Sequence, residues 1–159
     1  MAIVLYRIDE RLIHGQVVIG WGTRLRPERY IVVDDELSES DWEQDLYRLG
    51  LPDEAVGEFL SVTECRERLP ALREDEVATV VLARSVDSML RLAVGGCLRG
   101  EAINLGGLHH APDRVECLPY LHLNPIETAQ LRELAAEGVS VTAQDLPGSR
   151  RVDLESVLS

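Results

Sequence analysis

The chain has 159 residues, and its 28 acidic residues against 16 basic ones give a formal net charge of −12 at pH 7. With 45% hydrophobic residues, a chain of this length can bury one core, which excludes a disordered polyanion. The acidity excludes a general nucleic-acid binder, because phosphate neutralisation needs clustered cations. All 16 basic residues are arginines, and a chain without lysine cannot form a Schiff base or a phosphate loop of the Walker type.

The lack of a targeting signal in the sequence and the wide spacing of its cysteines lead us to expect a cytoplasmic protein. No stretch reaches the roughly 18 to 20 uncharged apolar residues of a membrane helix. Only about four apolar residues precede Arg7, too few for a signal peptide. Cys65, Cys97 and Cys117 lie far apart and match neither a metal knuckle nor a disulfide framework, so reduced thiols are expected.

Segments of strand length alternate with segments of helical period from the first residues onward. The run 2–8 is nearly continuous in apolar residues, as in a strand covered on both faces. Residues 12–25 have the period of a helix that is entered through a polar loop. A strand is predicted at 30–36, and then a helix at 38–51 with Ser38 as its N-cap.

The middle of the chain continues this alternation. A short strand is predicted at 58–64, and a helix at 63–74 that is interrupted or ends near Pro70. Residues 77–83 are rich in β-branched side chains and form the clearest strand. The helix at 85–96 has Ser85 as its N-terminal cap.

The last third of the chain contains one ambiguous strand and one well-marked helix. Residues 115–123 form a weak strand, because Pro119 cannot donate to a sheet, and a peripheral position is expected. Asn124 and Glu127 make a capping box for a helix that ends at Gly138. The other elements predicted here are strands at 101–107 and 139–146 and a short terminal helix at 152–158.

About seven strands interleaved with helices predict an α/β fold. We expect an open, mainly parallel seven-stranded sheet with helices on both faces, in a single domain over 1–159. Ligands of such sheets bind beyond the carboxyl ends of the strands. Chemistry is therefore expected in the loops that follow the strands.

The first of these loops holds an unusual group of residues. Five ionisable side chains lie between Arg7 and His14. A neutral imidazole is a nucleophile, Gly15 lets a ligand approach the backbone, and Arg11 can hold a phosphate in a bidentate manner while Asp9 orients its neighbours. The group suits phosphoryl transfer onto His14. A charged turn with one incidental histidine would have the same spacing, so that alternative stays open from the residues alone.

Longer segments carry a family resemblance. Residues 7–17, RIDERLIHGQV, resemble the motif RIDDRLIHGQV that opens enzyme IIB components of the mannose–fructose–sorbose family of the bacterial phosphoenolpyruvate:sugar phosphotransferase system (PTS). Four later segments, 31–36, 90–96, 103–109 and 128–141, are similar to further parts of the family pattern. The resemblance thus covers nearly the whole chain in order.

The resemblance implies a PTS phosphotransferase that works in sugar transport. His14 falls on the family's phosphate-carrying histidine, which uses its Nδ1, and Arg11 and Asp9 fall on its arginine and aspartate. The implied phosphate donor is phospho-IIA, and the phosphate passes to a sugar at the membrane IIC/IID complex. The protein would be cytoplasmic and held at the membrane through IIC/IID. No cofactor, metal or nucleic acid is expected, and a homodimer remains open.

Further phosphate-binding residues are expected at the same sheet edge. They are Gly15, Gln16, Arg84, Ser85, Asn104, Gly106 and Gly107. A helix cap at Ser85, and a turn of positive φ at the glycine pair, are equally open interpretations. We also expect Arg7, Arg11 and Arg84 to meet phospho-IIA directly.

The sequence departs from the family pattern at two places near this edge. Glu10 stands where an aspartate is usual, and we expect it to face outward. Leu108, His109 and His110 replace a methionine–aromatic run; the two histidines are predicted to lie in a surface loop rather than in a metal site. His122 is expected to be a satisfied histidine at a strand end. The acids at 34–36 are expected to form a polar loop and not a metal site.

Two other functions remain to be weighed. A regulatory module of the same fold would accept phosphate without driving sugar uptake. An unrelated nucleotide-binding α/β protein is less favoured, because no G-x-G-x-x-G or phosphate loop follows any predicted strand.

Overall fold

The structure is a computed structural model that describes residues 2–159. Within them lie nine strands: β1 (Ile3–Ile8), β2 (Arg29–Val33), β3 (Val56–Leu60), β4 (Thr79–Ala83), β5 (Ala102–Leu105), β6 (Val115–Leu118), β7 (Leu121–Leu123), β8 (Ser140–Ala143) and β9 (Val152–Asp153). The α-helices of the same residues are α1 (Gly22–Leu25), α2 (Asp41–Arg48), α3 (Val62–Glu74), α4 (Val86–Ala93), α5 (Pro125–Ala136) and α6 (Leu154–Leu158).

Seven strands form one sheet in the order β3-β2-β4-β1-β5-β8-β9. All neighbouring pairs are parallel except β8 and β9, which are antiparallel. The prediction of an open, mainly parallel seven-stranded α/β sheet is confirmed. The chain leaves β1 toward one side of the sheet first and returns to the other side at β5, so the loop after β1 lies at the switch point where such sheets bind ligands.

Two hydrophobic clusters cover the two faces of the sheet. The larger one fills the space between the sheet and α3, α4 and α5. The smaller one holds Leu12 and Ile13 of the loop after β1, together with Val17 of the helical segment that follows, against β2 and β4. Core packing of Leu12 and Ile13 therefore holds the loop that carries His14 in place. No helix within 2–159 is long and apolar enough to cross a membrane.

The first two helical regions begin later than predicted. A six-residue π-helix, Gln16–Trp21, precedes α1, so Leu12 and Ile13 belong to the loop rather than to the helix. Ser38 does not cap α2, because it lies in a 3-10 turn and its Oγ donates to the Asp35 carbonyl at 2.7 Å. The N-cap position of α2 is Ser40.

Three further predictions of local structure are corrected. β3 ends at Leu60 because Ser61 caps α3 in a capping box with Glu64, and α3 runs through Pro70 to Glu74. The weak strand at 115–123 is the hairpin of β6 and β7, which forms a sheet of its own. The antiparallel strand β9 was not predicted, because two residues are too short for a recognisable strand pattern. The caps predicted at Ser85 and Asn124 are confirmed.

Candidate active site

The loop after β1 turns sharply before it presents His14. The Leu12 amide donates to the Asp9 carbonyl at 3.0 Å, and Leu12 has a φ of 55°, a left-handed conformation that is uncommon outside glycine. Leu12 is fully buried and Ile13 nearly so. Their burial holds a backbone conformation that would cost about 1 kcal/mol or more if unsupported.

Asp9 lies at the centre of the site. Its carboxylate contacts Arg7 (Nη2, 3.0 Å), Arg11 (backbone N, 3.0 Å; Nε, 3.3 Å) and His14 (Nε2, 3.2 Å), and the side chain is fully buried. Burial alone would raise the pKa of Asp9. The neighbouring His14, Arg7 and Arg11 outweigh burial and hold the pKa well below its ordinary value. Asp9 is therefore an anion at neutral pH that faces a histidine.

The two ring nitrogens of His14 have different surroundings. Nε2 is buried opposite Asp9, at ion-pair distance but without a well-directed hydrogen bond. Nδ1 is not among the buried atoms without a partner and makes no hydrogen bond within 2–159, so it is the accessible nitrogen of a side chain that is 16% exposed. A carboxylate beside Nε2 favours a proton there, which leaves the lone pair on Nδ1.

Arg7 lies beneath the protein surface and does not contribute to the exposed part of the site. Its side chain is completely buried and donates to Asp9, to the Asn104 side chain, and to the carbonyls of Gln144 (2.9 Å) and Asp145 (3.1 Å). Burial lowers the pKa of Arg7, and Asp9 opposes this effect. The expectation that Arg7 meets phospho-IIA directly is wrong, because a fully buried side chain cannot contact a partner.

Arg11 is the accessible cation of the loop. Its guanidinium donates to Gln16 Oε1 at 2.7 Å as well as to Asp9, and its side chain is about a third exposed. Gly15 is exposed, and a Cβ built on it would meet no atom within 4 Å. The structure therefore brings together Asp9, Arg11, His14, Gly15 and Gln16.

The glycine pair after β5 serves the arginines. Neither Gly106 nor Gly107 has a positive φ, so the alternative interpretation of the pair as a turn of positive φ is wrong. A Cβ on Gly106 would collide with the Arg7 guanidinium, and one on Gly107 would lie 3.0 Å from Arg11 Nη2. Likewise, Asn104 is engaged with Arg7 and with the Gln144 carbonyl (3.2 Å) rather than left free to bind an anion.

Arg84 and Ser85 belong to a neighbouring cluster. Arg84 holds Asp34 through two hydrogen bonds, at 3.0 and 2.9 Å, and lies 3.6 Å from Glu36. Ser85 caps α4 by accepting from the Ser88 amide at 3.1 Å. Their predicted phosphate-binding role has no contact with Asp9, Arg11 or His14 to support it in the part of the chain described.

Glu10 is more than an outward-facing acid. Its carboxylate accepts from the His109 amide at 3.1 Å, lies 3.0 Å from His109 Nδ1, and pairs with Arg114. Arg114 in turn binds Glu127, the capping residue of α5, at 2.7 Å. This chain of contacts ties the His14 loop to α5 through the loop before β6, and sequence reasoning did not detect it.

Trp21 is the second residue that sequence reasoning missed. The Arg7 guanidinium lies 5.4 Å from its ring centroid, and its Nε1 donates to the Asp145 carbonyl at 3.0 Å.

His122 lies away from the site and has a hydrogen-bond partner, as predicted. Its Nδ1 lies 3.2 Å from the Leu108 carbonyl oxygen.

Comparison with known proteins fits this arrangement of a histidine, an aspartate and two arginines. Residues 3–159 match the family model described as PTS system sorbose subfamily IIB component. The chain belongs to this family. As a IIB component it is a phosphotransferase of the PTS.

Individual relatives match over most of their length. The chain is 28% identical over 156 residues to the N-acetylgalactosamine-specific phosphotransferase enzyme IIB component 2 of Escherichia coli, covering 98% of each chain. The crystal structure of the IIBSor domain of the sorbose permease from Klebsiella pneumoniae is similar with a TM-score of 0.86 at 25% identity, over 99% of this chain and 96% of that one. The chain also matches 49% of the mannose-specific EIIAB component of E. coli, at 22% identity over its own full length.

Proposed function

We propose that His14 carries the phosphoryl group of this IIB component, taking it from phospho-IIA and passing it to a sugar at a IIC/IID membrane complex. The observation that carries the proposal is the pairing of a buried Nε2 facing the anionic Asp9 with an open Nδ1. Such a ring is held in one orientation with its nucleophilic nitrogen toward the partner.

The transfer balances without a cofactor. The Nδ1 lone pair of neutral His14 attacks the phosphorus of the donor's phosphohistidine, and the bond from that phosphorus to the donor nitrogen breaks. The donor imidazole keeps the bonding electrons. The His14 ring keeps its proton on Nε2, and Asp9 stabilises the positive charge that the ring gains. Positioning and charge neutralisation supply the catalysis.

Arg11 is the residue best placed to neutralise the moving phosphoryl group. Its side chain is partly exposed, and Asp9 and Gln16 hold the guanidinium in place. The open space beside Gly15 lets the phosphoryl oxygens approach the backbone. In the second transfer a sugar hydroxyl oxygen attacks the phosphorus, and the bond to His14 Nδ1 breaks with its electrons left on the ring. The hydroxyl proton is released to solvent, and Arg11 again neutralises the phosphoryl group. The protein would then work at the cytoplasmic side of the membrane, attached through IIC/IID.

Radiolabelling tests whether His14 carries the phosphoryl group. Incubation with enzyme I, the phosphocarrier protein, a cognate IIA and labelled phosphoenolpyruvate should leave one acid-labile, base-stable phosphate per chain. The His14→Ala variant should lose the label, whereas His109→Ala, His110→Ala and His122→Ala should keep it. Label that survives on His14→Ala would overturn the assignment.

Changing Arg11 tests the role given to it. Arg11→Ala should slow transfer to His14 by about 10²-fold or more, because it removes a charge-assisted contact made in the transition state. The thermal midpoint should change little, since Asp9 keeps Arg7 as its buried partner. Transfer at the wild-type rate would show that another group neutralises the phosphate.

A regulatory role without sugar transport remains the second candidate. A regulatory protein would accept the phosphoryl group on His14 in the same way but would not pass it to a sugar. Adding IIC/IID membranes and a sugar to the labelled protein distinguishes the two, because only a transport component transfers its label to the sugar.

A further inference from the structure

An exposed apolar stripe lies on α2. Trp42, Leu46 and Leu49 are 68%, 58% and 82% exposed. They are spaced four and three residues apart, so they lie on one face of the helix. Three large apolar side chains in a row on one exposed face are typical of a surface that a partner covers. We call these three residues the α2 stripe.

The α2 stripe is not part of the core. Gln44 follows Trp42 by two residues, which places it about 200° around the helix, and it is the buried residue of α2. Tyr47, next to it on the inner side, packs against the smaller core cluster. The helix is therefore held by its inner face, and its outer face is left exposed.

The end of α2 lies against the His14 loop. A Cβ built on Gly50 would lie 3.4 Å from the Ile13 side chain and 4.0 Å from the Ile13 carbonyl oxygen. Ile13 immediately precedes His14, and Leu49 immediately precedes Gly50. Leu49 is therefore joined to the His14 loop through the contact of Gly50 with Ile13, and a donor domain at His14 that extends over this contact would reach the α2 stripe.

Charge around the α2 stripe indicates what covers it. Asp41, Glu43 and Asp45 lie between and beside its residues, with Arg48 as the one basic side chain of the helix. The whole chain carries a net charge of −12. A second copy of the chain would bring the same acids face to face, whereas a partner with an apolar patch and a basic rim is complementary.

We propose that the α2 stripe is the docking surface for the phosphohistidine-bearing IIA donor, with Leu46 and Leu49 as apolar anchors and the acids of α2 as a rim that meets basic residues of IIA. The proposal rests on the function proposed for His14. A relative named EIIAB component, in which A and B parts share one name, is matched by this chain over 49% of its length. Docking of an A part beside the His14 loop is the contact that such a pairing requires.

Transfer kinetics test the α2 stripe. Phospho-IIA is supplied at increasing concentration to the wild-type chain and to the double variant Leu46→Ser/Leu49→Ser, and the initial rate of labelling is measured. The donor concentration at half-maximal rate should rise tenfold or more, since interface anchors typically contribute about tenfold each. The rate at saturating donor should stay unchanged, because His14, Asp9 and Arg11 are untouched.

Val94→Ser is the matched control. Val94 is 40% exposed and follows α4, which packs on the other face of the sheet from α2. This variant should transfer phosphate with wild-type parameters. Thermal midpoints should agree among the three proteins, which shows that the double variant folds.

The outcomes separate the two proposals. A wild-type chain that phospho-IIA never labels overturns the function proposed for His14 and this surface with it. A labelled wild type whose double variant has an unchanged half-saturating donor concentration overturns the docking surface alone. If sedimentation also shows a wild-type dimer that the double variant dissociates, the α2 stripe joins two copies of the chain instead.

Discussion

Two aspartate–arginine pairs at the same sheet edge behave differently. Asp9 is the first residue after β1 and Asp34 the first after β2, and each binds an arginine, at 3.0 Å for Arg7 and 2.9 Å for Arg84. The Arg7 pair is completely buried, whereas the Arg84 side chain is 31% exposed. Equal distances therefore do not mean equal roles. The buried pair needs every donor satisfied by protein, and it alone is joined to a histidine.

The largest expected effect is the loss of Arg7. The Arg7→Met variant leaves the buried Asp9 carboxylate without its main cation and removes one donor from each of the Gln144 and Asp145 carbonyls. We expect the free energy of unfolding to fall by about 3 to 5 kcal/mol. Urea denaturation measures it, and a loss below about 1 kcal/mol would mean that water replaces the guanidinium.

Gly106→Ala should have the next largest effect. Its Cβ would overlap the Arg7 guanidinium, which is buried and cannot move away, so we expect a loss of about 2 to 3 kcal/mol. Gly107→Ala is the matched control. Its Cβ meets the far end of the partly exposed Arg11, and we expect less than about 0.5 kcal/mol. Equal losses in the two variants would contradict the role given to the buried arginine.

Acid should weaken the buried pair. The folded-state pKa of Asp9 lies below its unfolded value, so its contribution is complete above the unfolded pKa and is lost as pH falls toward the folded one. Between about pH 5 and pH 2.5, wild-type protein should lose ~2 kcal/mol more than Asp9→Asn does. The comparison uses urea unfolding at each pH. Parallel pH curves for the two proteins would show that Asp9 has no depressed pKa.

The smallest expected effect is at the second pair. Arg84→Met removes a partly exposed ion pair, whose loss costs at most about 1 kcal/mol. Transfer of phosphate to His14 should stay within about twofold of wild type, because Arg84 holds Asp34 and Glu36. A drop of tenfold would place Arg84 in the phosphate site after all, as its position after β4 first indicated.

The fold and the centre of the site were predictable because their signals are local. Continuous apolar strands predict a parallel sheet, and residues 7–17 place an aspartate, an arginine and a histidine within one loop. The caps at Ser85 and Asn124 were also recognised, since a capping residue and its partner are three positions apart.

Contacts between distant residues were not predictable. Arg7 reaches Asn104 across 97 positions, and Glu10 reaches Arg114 across 104. No local pattern distinguishes a buried arginine from an exposed one, so Arg7 was assigned to the surface. The two glycines after β5 were predicted to bind phosphate or to form a turn, because the guanidiniums that need their space come from β1 and the loop after it.

The positions of Trp21 and Trp42, the two tryptophans of the chain, have a spectroscopic consequence. Trp21 is buried beside Arg7 in the site, and Trp42 is exposed on α2. Their fluorescence should differ accordingly, with blue-shifted emission from Trp21 and red-shifted, readily quenched emission from Trp42. In a Trp42→Phe variant the remaining signal reports the surroundings of the Arg7 guanidinium. In the native chain, quenching by iodide reports whether α2 is covered. Changes at the site and coverage of α2 can thus both be followed by intrinsic fluorescence, without an added dye.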